Sequence, residues 1–423
     1  MLSLPATFAR SGILPTILTI VFVCLLSAVC CLHMANTISK VPNNANFKKE
    51  VEYSTAFQHF WGRRWFVLTQ VLFFCCITCL NISSIVDTAE VVDTFLGHWM
   101  KGGSAALQII HGSDTSWSWN WIRWDYEGCS QAVLVAGECL PFKDAAPDGI
   151  LMTTGSVITT IVFLPLALMD LKENAMCQVL GFLVLIVTSA QFVVQFAASG
   201  LNNWSNASLW GHDWDDLFGV VLFNFALVVV IPAWLYEREP HVDVPTVIHS
   251  SSIMAVVLYI AVGLLCHLAV PNVSENMLES MMSGVFGTAM QLGASIFAFA
   301  IIGLGIPLFS VLTRLNLTAN DQCTQRTGNV LAVYLPFAVS WLLYGGKAVT
   351  KLLSWGGVIF TGLVTFILPI VLELHVVREF DTAGSISVYF GYFTSKVAQI
   401  SSLRVLLFLT IASIATAIIG MLI

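Results

Sequence analysis

The fold is decided by one stretch, Phe218–Pro240, which reads FGVVLFNFALVVVIPAWLYEREP. Its first eighteen residues are almost wholly apolar, yet Asn224 lies in the middle and Pro232 near the end. A buried amide and a helix-breaking proline cost free energy in lipid unless neighbouring helices or a ligand satisfy the freed polar groups. The stretch therefore predicts a membrane span that is interrupted part of the way across.

The composition of the whole chain excludes a water-soluble protein. Hydrophobic residues make up 57% of the 423 residues and charged residues only 10%, and the mean hydropathy is +0.83. A soluble domain of this size needs more charge on its surface. Repeated apolar runs of about 20 residues match the thickness of the hydrocarbon layer for a helix that rises about 1.5 Å per residue. We therefore predict an all-α, multispanning membrane protein.

Other functional classes leave no signal in the sequence. The net charge of −7 is spread over loops, and no basic patch suits nucleic acid. We find no glycine-rich phosphate loop, nucleophile elbow or metal-ligand cluster, which argues against an enzyme, a primary pump or a bound cofactor.

The apolar runs predict about eleven spans, of which the first is truncated. A short stub ends at Ser11-Gly12, and a polar loop of about fifty residues, Gly97–Asp148, follows the third span. Trp117, Trp119 and Trp121 alternate in that loop, which indicates either an extended segment or an anchor at the membrane interface. The expected full spans are Ile13–Ser39, Trp65–Val86, Leu151–Leu168, Ala175–Ala198, Phe218–Leu235, Val247–Ala269, Val285–Thr313, Gly328–Tyr344, Leu352–Leu374 and Leu403–Ile423.

The basic residues predict the orientation of these spans. If the segment Lys40–Arg64 is cytosolic, twelve of the 18 lysines and arginines fall on the cytosolic side. The opposite side then carries a feasible disulfide between Cys129 and Cys139 and three glycosylation acceptors. These acceptors are Asn203, Asn206 and Asn272.

Four punctuated motifs resemble the amino acid/auxin permease family of the amino acid–polyamine–organocation group. They occur in the same order along the chain as in that family, and together they cover most of its length. The motifs are LSLPATFARSG at Leu2–Gly12, Ile231-Pro232 with Glu237–Pro240, Gly305-Ile-Pro307 with Arg314, and Trp355-Gly-Gly with Phe366-Ile-Leu-Pro369.

The resemblance implies a five-plus-five inverted repeat with one added helix. The first repeat would cover residues 1–198, the second 216–374, and the added helix 403–423. In that fold the first and sixth helices unwind near the bilayer midplane, and their free backbone groups bind the carboxylate and ammonium of a substrate. Transport then proceeds by alternating access, as one bundle of helices rocks against the rest.

Two features depart from the family pattern. The glycine-rich turn and half-helix that should precede LSLP are absent, and we expect a truncated sequence in preference to a protein that lacks half of its substrate cradle. The sixth span also carries Ala226 where an unwound helix would favour glycine, so unwinding is less secure there.

Seven residues are our candidates for substrate contact. Five of them have an alternative role: Asn224 as an interhelical hydrogen bond, the two phenylalanines as packing, and Asn81 and Ser84 of the third span as part of an inward polar stripe that also includes Thr78. The candidates are Ser3, Leu4, Asn81, Ser84, Phe223, Asn224 and Phe225.

Acidic residues at two helix ends admit two interpretations. Asp87, Glu90 and Asp93 form either a solvated helix end or an acidic vestibule that receives a cation or proton. Glu373 and His375 lie near the cytosolic end of the tenth span, where they either relay protons or extend to water.

We therefore predict a secondary transporter of small neutral amino acids in the plasma membrane or a vacuolar membrane. The segment Phe297–Pro307 lacks hydroxyls, which argues against sodium and favours coupling to H+ or facilitated exchange. The alternative is a non-transporting amino acid sensor of the same fold. A multispanning receptor is disfavoured by the broken-helix pattern.

Overall fold

The computed structural model describes residues 3–100, 103–111, 117–125, 141–142, 150–201, 203–204, 207–214, 217–270, 277–282, 286–321, 323–344, 355–379 and 396–422. Eight helices in these ranges are long and apolar enough to cross a membrane. The prediction of an all-α, multispanning membrane protein is thereby confirmed. The eight are Ile13–Ser39, Arg63–Trp99, Leu171–Ala198, Leu217–Glu237, Val244–Ala269, Thr288–Thr318, Val358–Glu379 and Lys396–Gly420.

Several of these spans are composed of shorter elements, which we label in chain order. The first half of the chain contains α1 (Leu4–Ser11), α2 (Ile13–Ser39), α3 (Tyr53–Trp61), α4 (Arg63–Trp99), β1 (Ser104–His111), β2 (Trp117–Trp124), β3 (Ile150–Thr153), α5 (Thr154–Ala167) and α6 (Leu171–Ala198). The second half contains α7 (Leu217–Asn224), α8 (Ile231–Glu237), α9 (Val244–Ala269), α10 (Met277–Met282), α11 (Thr288–Phe297), α12 (Gly303–Thr318), α13 (Gln325–Asn329), α14 (Leu335–Leu342), α15 (Leu368–Glu379) and α16 (Lys396–Leu422).

In the described part of the chain, wider π-helical turns interrupt three of the later helices. They occupy Ala298–Ile302 between α11 and α12, Val330–Tyr334 between α13 and α14, and Gly357–Ile367 before α15. A π turn shifts the backbone hydrogen-bond pattern by one residue and is frequent at functional sites. Hydropathy does not reveal these irregularities, because the apolar pattern continues through them.

A small antiparallel sheet lies in the loop after α4, and the sequence analysis did not predict it as a sheet. The strand order is β2-β1-β3, with Leu107 opposite both Trp121 and Met152. The alternating tryptophans do lie on a strand, as the extended interpretation expected, and Trp119 and Trp121 are 64% and 77% exposed.

The third span is longer than predicted. Our boundary of Trp65–Val86 followed the apolar run, whereas α4 continues to Trp99 through its acidic residues. Within this continuation Asp93 is buried, and its carboxylate accepts a hydrogen bond from the Gly155 N–H, which offsets the cost of burying it.

The hinge between α1 and α2 lies against the loop that precedes α7. Gly12 has φ 88°, and a Cβ placed on it would lie 2.3 Å from the Gly211 backbone nitrogen. The Gly211 N–H donates to the Ser11 carbonyl at 2.9 Å, and the Ile13 N–H donates to the Ser208 carbonyl at 3.1 Å. This backbone pairing holds the start of α2 beside the segment that leads into the interrupted sixth span.

Candidate functional site

The predicted interruption of the sixth span lies between α7 and α8. The α-helix ends at Asn224, Phe225 forms a turn, and Ala226 takes φ −73° and ψ 42° before a 3-10 turn at Leu227–Val230. The backbone φ stays negative, so this break does not require the glycine that the family pattern suggested. The location of Ala226 in the break therefore removes the doubt that its residue type raised.

Two carbonyl groups at the break accept hydrogen bonds from neighbouring helices. The Phe225 carbonyl accepts from the Ser27 hydroxyl of α2 at 2.7 Å and from the Leu227 N–H at 2.8 Å. The Asn224 carbonyl accepts from the Tyr259 hydroxyl of α9 at 3.2 Å. Helices α2 and α9 thus supply polar partners for a segment that has lost its own helical hydrogen bonds.

The candidate side chains at the break make contacts within the protein, and Phe225 has the packing role that was its alternative. The Asn224 amide nitrogen donates to the Val220 carbonyl at 2.7 Å, one turn back on its own helix. The Phe225 ring is buried and packs edge-on against the Tyr259 ring, with 5.3 Å between ring centroids. Phe223 is half-buried. Phe225 therefore belongs to the packed wall of the break, while the carbonyl groups form its polar part.

Ser3 and Leu4 lie at the start of α1, which packs against α9. Leu4 is buried, and its Cβ lies 3.3 Å from the position that a Cβ on Gly263 would take. Gly263 follows Tyr259 by one helical turn. Helix α9 therefore brings the start of the stub and the break of the sixth span to neighbouring turns of one helix.

Asn81 and Ser84 face a different helix, α12. The Asn81 amide nitrogen donates to the Ser310 hydroxyl at 3.0 Å, and its Oδ1 is buried without a hydrogen-bond partner. The Ser84 hydroxyl donates to the Leu80 carbonyl and lies 3.8 Å from the Cβ position of Gly305. The inward orientation of this stripe is as predicted, but the hydrogen bonds of these two residues lead to α12 and to α4 itself.

Three residues with defined polar contacts were missed as candidates. Ser27 and Tyr259 bind the carbonyls of the break, and Ser310 binds Asn81. A hydroxyl near the middle of an apolar span is a usable signal, because lipid offers it no partner and it must point inward.

Asp93 is not part of a solvated helix end, which corrects the simpler of our two interpretations. The residue is 0% exposed and accepts hydrogen bonds from the Ser104 hydroxyl, the Gly155 N–H and the Tyr344 hydroxyl. These donors belong to β1, to the start of α5 and to the segment after α14. Asp93 thus ties the sheet to the helical bundle, and Asp87 and Glu90 are the half-buried members of the series.

Glu373 does not extend to water, which corrects a second expectation. It is 2% exposed and accepts from the Asn36 amide at 2.6 Å, the Thr37 hydroxyl at 2.6 Å and the Lys40 ammonium at 3.3 Å. His375 is half-buried and packs edge-on against Trp61. The carboxylate of Glu373 is therefore a buried, fully engaged group between α2 and α15.

The predicted modification sites are only in part within the described residues. Cys129, Cys139, Asn206 and Asn272 lie outside them. Asn203 is 8% exposed, and its amide nitrogen donates to the His267 carbonyl at 3.2 Å. A glycan on that nitrogen requires the side chain to leave this position.

No family model matches this chain, and no curated protein does so either. Within the described residues, no group of three or more His, Cys, Asp or Glu side chains could hold a metal ion.

Proposed function

We propose that this protein is a secondary transporter of small neutral amino acids and a member of the amino acid/auxin permease family. The observation that carries the proposal is the interruption of the sixth span at Phe225–Ala226, beside α2 and α9. The interruption begins at Phe225, ahead of the Val228 carbonyl whose helical partner Pro232 removes, so the proline alone does not account for where the span breaks. The five-plus-five repeat with one added helix is the fold that goes with this function.

The chemistry of the break suits a zwitterion. The Asn224 and Phe225 carbonyls lie at the C-terminal end of α7, where the helix dipole is negative and favours an ammonium group. An amino acid brings its own opposite charge, so binding it there does not bury an uncompensated net charge. The positive pole for the carboxylate would come from the start of a half-helix, as the resemblance to the permease family implies for the first helix.

Coupling to H+ or facilitated exchange fits this chain better than coupling to sodium. Sodium requires several oxygen ligands. The segment Phe297–Pro307 contains no hydroxyl, and the first hydroxyl beyond it, Ser310, already binds the Asn81 amide. The hydroxyl content near the π turn of the eighth span is therefore too low for a sodium site of the usual kind.

The test is uptake of radiolabelled amino acids into proteoliposomes that contain the full chain. Uptake is measured at two external pH values, with and without sodium, for neutral, acidic and basic amino acids. We expect saturable, pH-dependent and sodium-independent uptake of a small neutral amino acid. Saturable binding without any flux would instead identify a sensor of the same fold, and uptake that requires sodium would overturn the proposed coupling.

A further inference from the structure

A buried ion pair joins α2 and α15 at positions that are distant in sequence from the break. Glu373 of α15 and Lys40 at the end of α2 approach to 3.3 Å, and their side chains are 3% and 8% exposed. Asn36 and Thr37 add a hydrogen bond to each carboxylate oxygen. The donors at 36, 37 and 40 lie on one face of α2, so one carboxylate holds the last turn of that helix to α15.

Lys40 is the charged group in contact with Glu373. Helix α15 also packs against α3, α16 and the π segment before it. On these elements and on α15 itself, the other titratable groups have different surroundings. Tyr53 donates to the Val364 carbonyl, the rings of His59 and His375 pack against Phe60 and Trp61, and Arg378, Glu379, Lys396 and Arg404 are exposed. His33 precedes Lys40 on α2 by two turns and interacts electrostatically with Lys40.

Each buried charge is stabilised only while the oppositely charged partner lies beside it. Separating them leaves a carboxylate in an apolar environment with two neutral donors, which is expensive for an ionised group. Lys40 has an alternative, because it is the C-cap of α2 and its long side chain can extend to water. Glu373 has none of this freedom, since it lies in the middle of α15, and it would take up a proton on separation.

We propose that Lys40 and Glu373 form a proton-operated latch at the cytosolic end of the bundle. With Glu373 ionised, the ion pair holds α2 against α15 and closes that end. A proton that binds a Glu373 oxygen neutralises the carboxylate, Lys40 moves to water, and the two helices separate. The same proton then passes to cytosolic water, the carboxylate recovers its charge, and the pair closes again. The latch depends on the proposed function only for the identity of the solute that travels with the proton.

A native cysteine reports on this closure. The Cys30 thiol is fully buried between α2 and the π segment, with its sulfur 3.8 Å from the Phe366 carbonyl oxygen. When the end opens, Cys30 becomes accessible to a small, membrane-impermeant maleimide applied from the cytosolic side. Half-buried Cys323 of the same preparation is the internal standard, because it corrects for the effect of pH on the reagent.

The experiment measures labelling of Cys30 relative to Cys323 by peptide mass spectrometry at pH 5.5 and pH 8, without any solute. We expect wild-type labelling to be higher at the lower pH. In Glu373→Gln and in Lys40→Met the labelling at pH 8 should rise by about tenfold or more and lose its pH dependence, because neither variant retains an ion pair. The double variant K40E/E373K should restore protection at pH 8.

The matched control removes an exposed ion pair at the same end of the molecule. Lys172 and Glu237 are 3.7 Å apart with side chains 81% and 30% exposed, so K172M/E237Q should leave the labelling unchanged. Wild-type labelling that does not respond to pH, or E373Q that labels like the wild type, would overturn the latch. Because this assay needs no substrate, it separates failure of the latch from failure of the proposed transport.

Discussion

At the scale of one residue, the Tyr259 hydroxyl is important to the site because it orients a backbone carbonyl at the break. It binds the Asn224 carbonyl at 3.2 Å, while its ring packs on Phe225. The hydroxyl and the ring therefore have separable roles, since one orients a backbone carbonyl and the other fills space. Ser27 has the first role for the Phe225 carbonyl but offers no comparable packing surface.

Removing only the hydroxyl tests its positioning role. In Tyr259→Phe the ring packing is kept and one hydrogen bond of about 1 kcal/mol is lost, which corresponds to roughly a fivefold rise in KM for the transported amino acid. Ser250→Ala is the control, because Ser250 is exposed on the same helix and bonds to its own turn. An unchanged KM in Tyr259→Phe would contradict the positioning role, and a lower KM would mean that the hydroxyl competes with the solute.

Glu52 makes the stability of the protein depend on pH. It is 6% exposed just before α3, outside the spans, and burial together with the nearby Glu50 raises its pKa from 4.5 to about 8. A carboxyl whose pKa is raised on folding favours the folded state most below the pKa of the unfolded chain. This contribution is lost as the pH rises through the folded value.

We therefore expect the wild-type melting temperature in detergent to fall between pH 5 and pH 9. Glu52→Gln should flatten this dependence and raise the melting temperature at pH 9, because no charge then has to be buried. Glu50→Gln is the control at an exposed neighbour, and its effect should be smaller. A melting temperature of Glu52→Gln that falls with pH as steeply as the wild type would contradict the assignment.

At the scale of elements, two glycines begin helices in nearly the same backbone conformation but in different surroundings. Gly12 and Gly62 are the N-caps of α2 and α4, with φ 88° and 82°. A Cβ on Gly12 would meet backbone atoms of Trp210 and Gly211 at 2.3 to 2.9 Å, whereas a Cβ on Gly62 meets nothing within 4 Å. Comparing the two glycines therefore distinguishes the backbone strain of a positive φ from the steric cost of a close backbone contact.

The two alanine variants should therefore differ. Gly62→Ala carries only the conformational cost of about 1–3 kcal/mol, while Gly12→Ala adds to it a steric cost of about 1–3 kcal/mol because backbone must move. The measurement is thermal unfolding of both variants in detergent at one pH. Equal melting temperatures would show that the α1–α2 hinge does not depend on its contact with the loop before α7.

At the scale of the whole molecule, the contacts at helix ends divide into two groups. In the first group, α3 contacts the turn after α12, where the Asn320 amide nitrogen donates to the Gln58 side-chain oxygen at 2.6 Å. In the same group, the start of α6 contacts the end of α8 through Lys172 and Glu237. In the second group, the Gly211 N–H in the loop before α7 donates to the Ser11 carbonyl at the end of α1. The first group contains the segments that the basic residues predict to be cytosolic, so the contacts and the charge bias are consistent.

Labelling of intact cells tests the predicted orientation. Cys323 lies on the turn after α12 and should react with a membrane-impermeant maleimide only after the cells are permeabilised. Ser118→Cys, at an exposed position of β2, should react in intact cells, with each site resolved by peptide mass spectrometry. Reaction of Cys323 in intact cells would invert the topology and would place Lys40 and Glu373 at the outer end.

The sequence by itself determined the membrane class, the helical architecture and the place of the break. Span length and hydropathy follow from the thickness of the bilayer, and Asn224 with Pro232 marks a span whose polar groups need partners. Boundaries were less accurate where polar residues continue a helix, as in α4, because hydropathy does not show a buried carboxylate that is satisfied by distant donors.

Only the tertiary structure decided which polar groups meet. Nothing in the chain order places Ser27 on the Phe225 carbonyl, Lys40 on Glu373, or Tyr344 on Asp93, since the members of each pair are 198 to 333 residues apart. A buried polar group must be satisfied, but many partners satisfy it equally well. The packing of the helices selects among those partners, and that selection is a property of the folded chain.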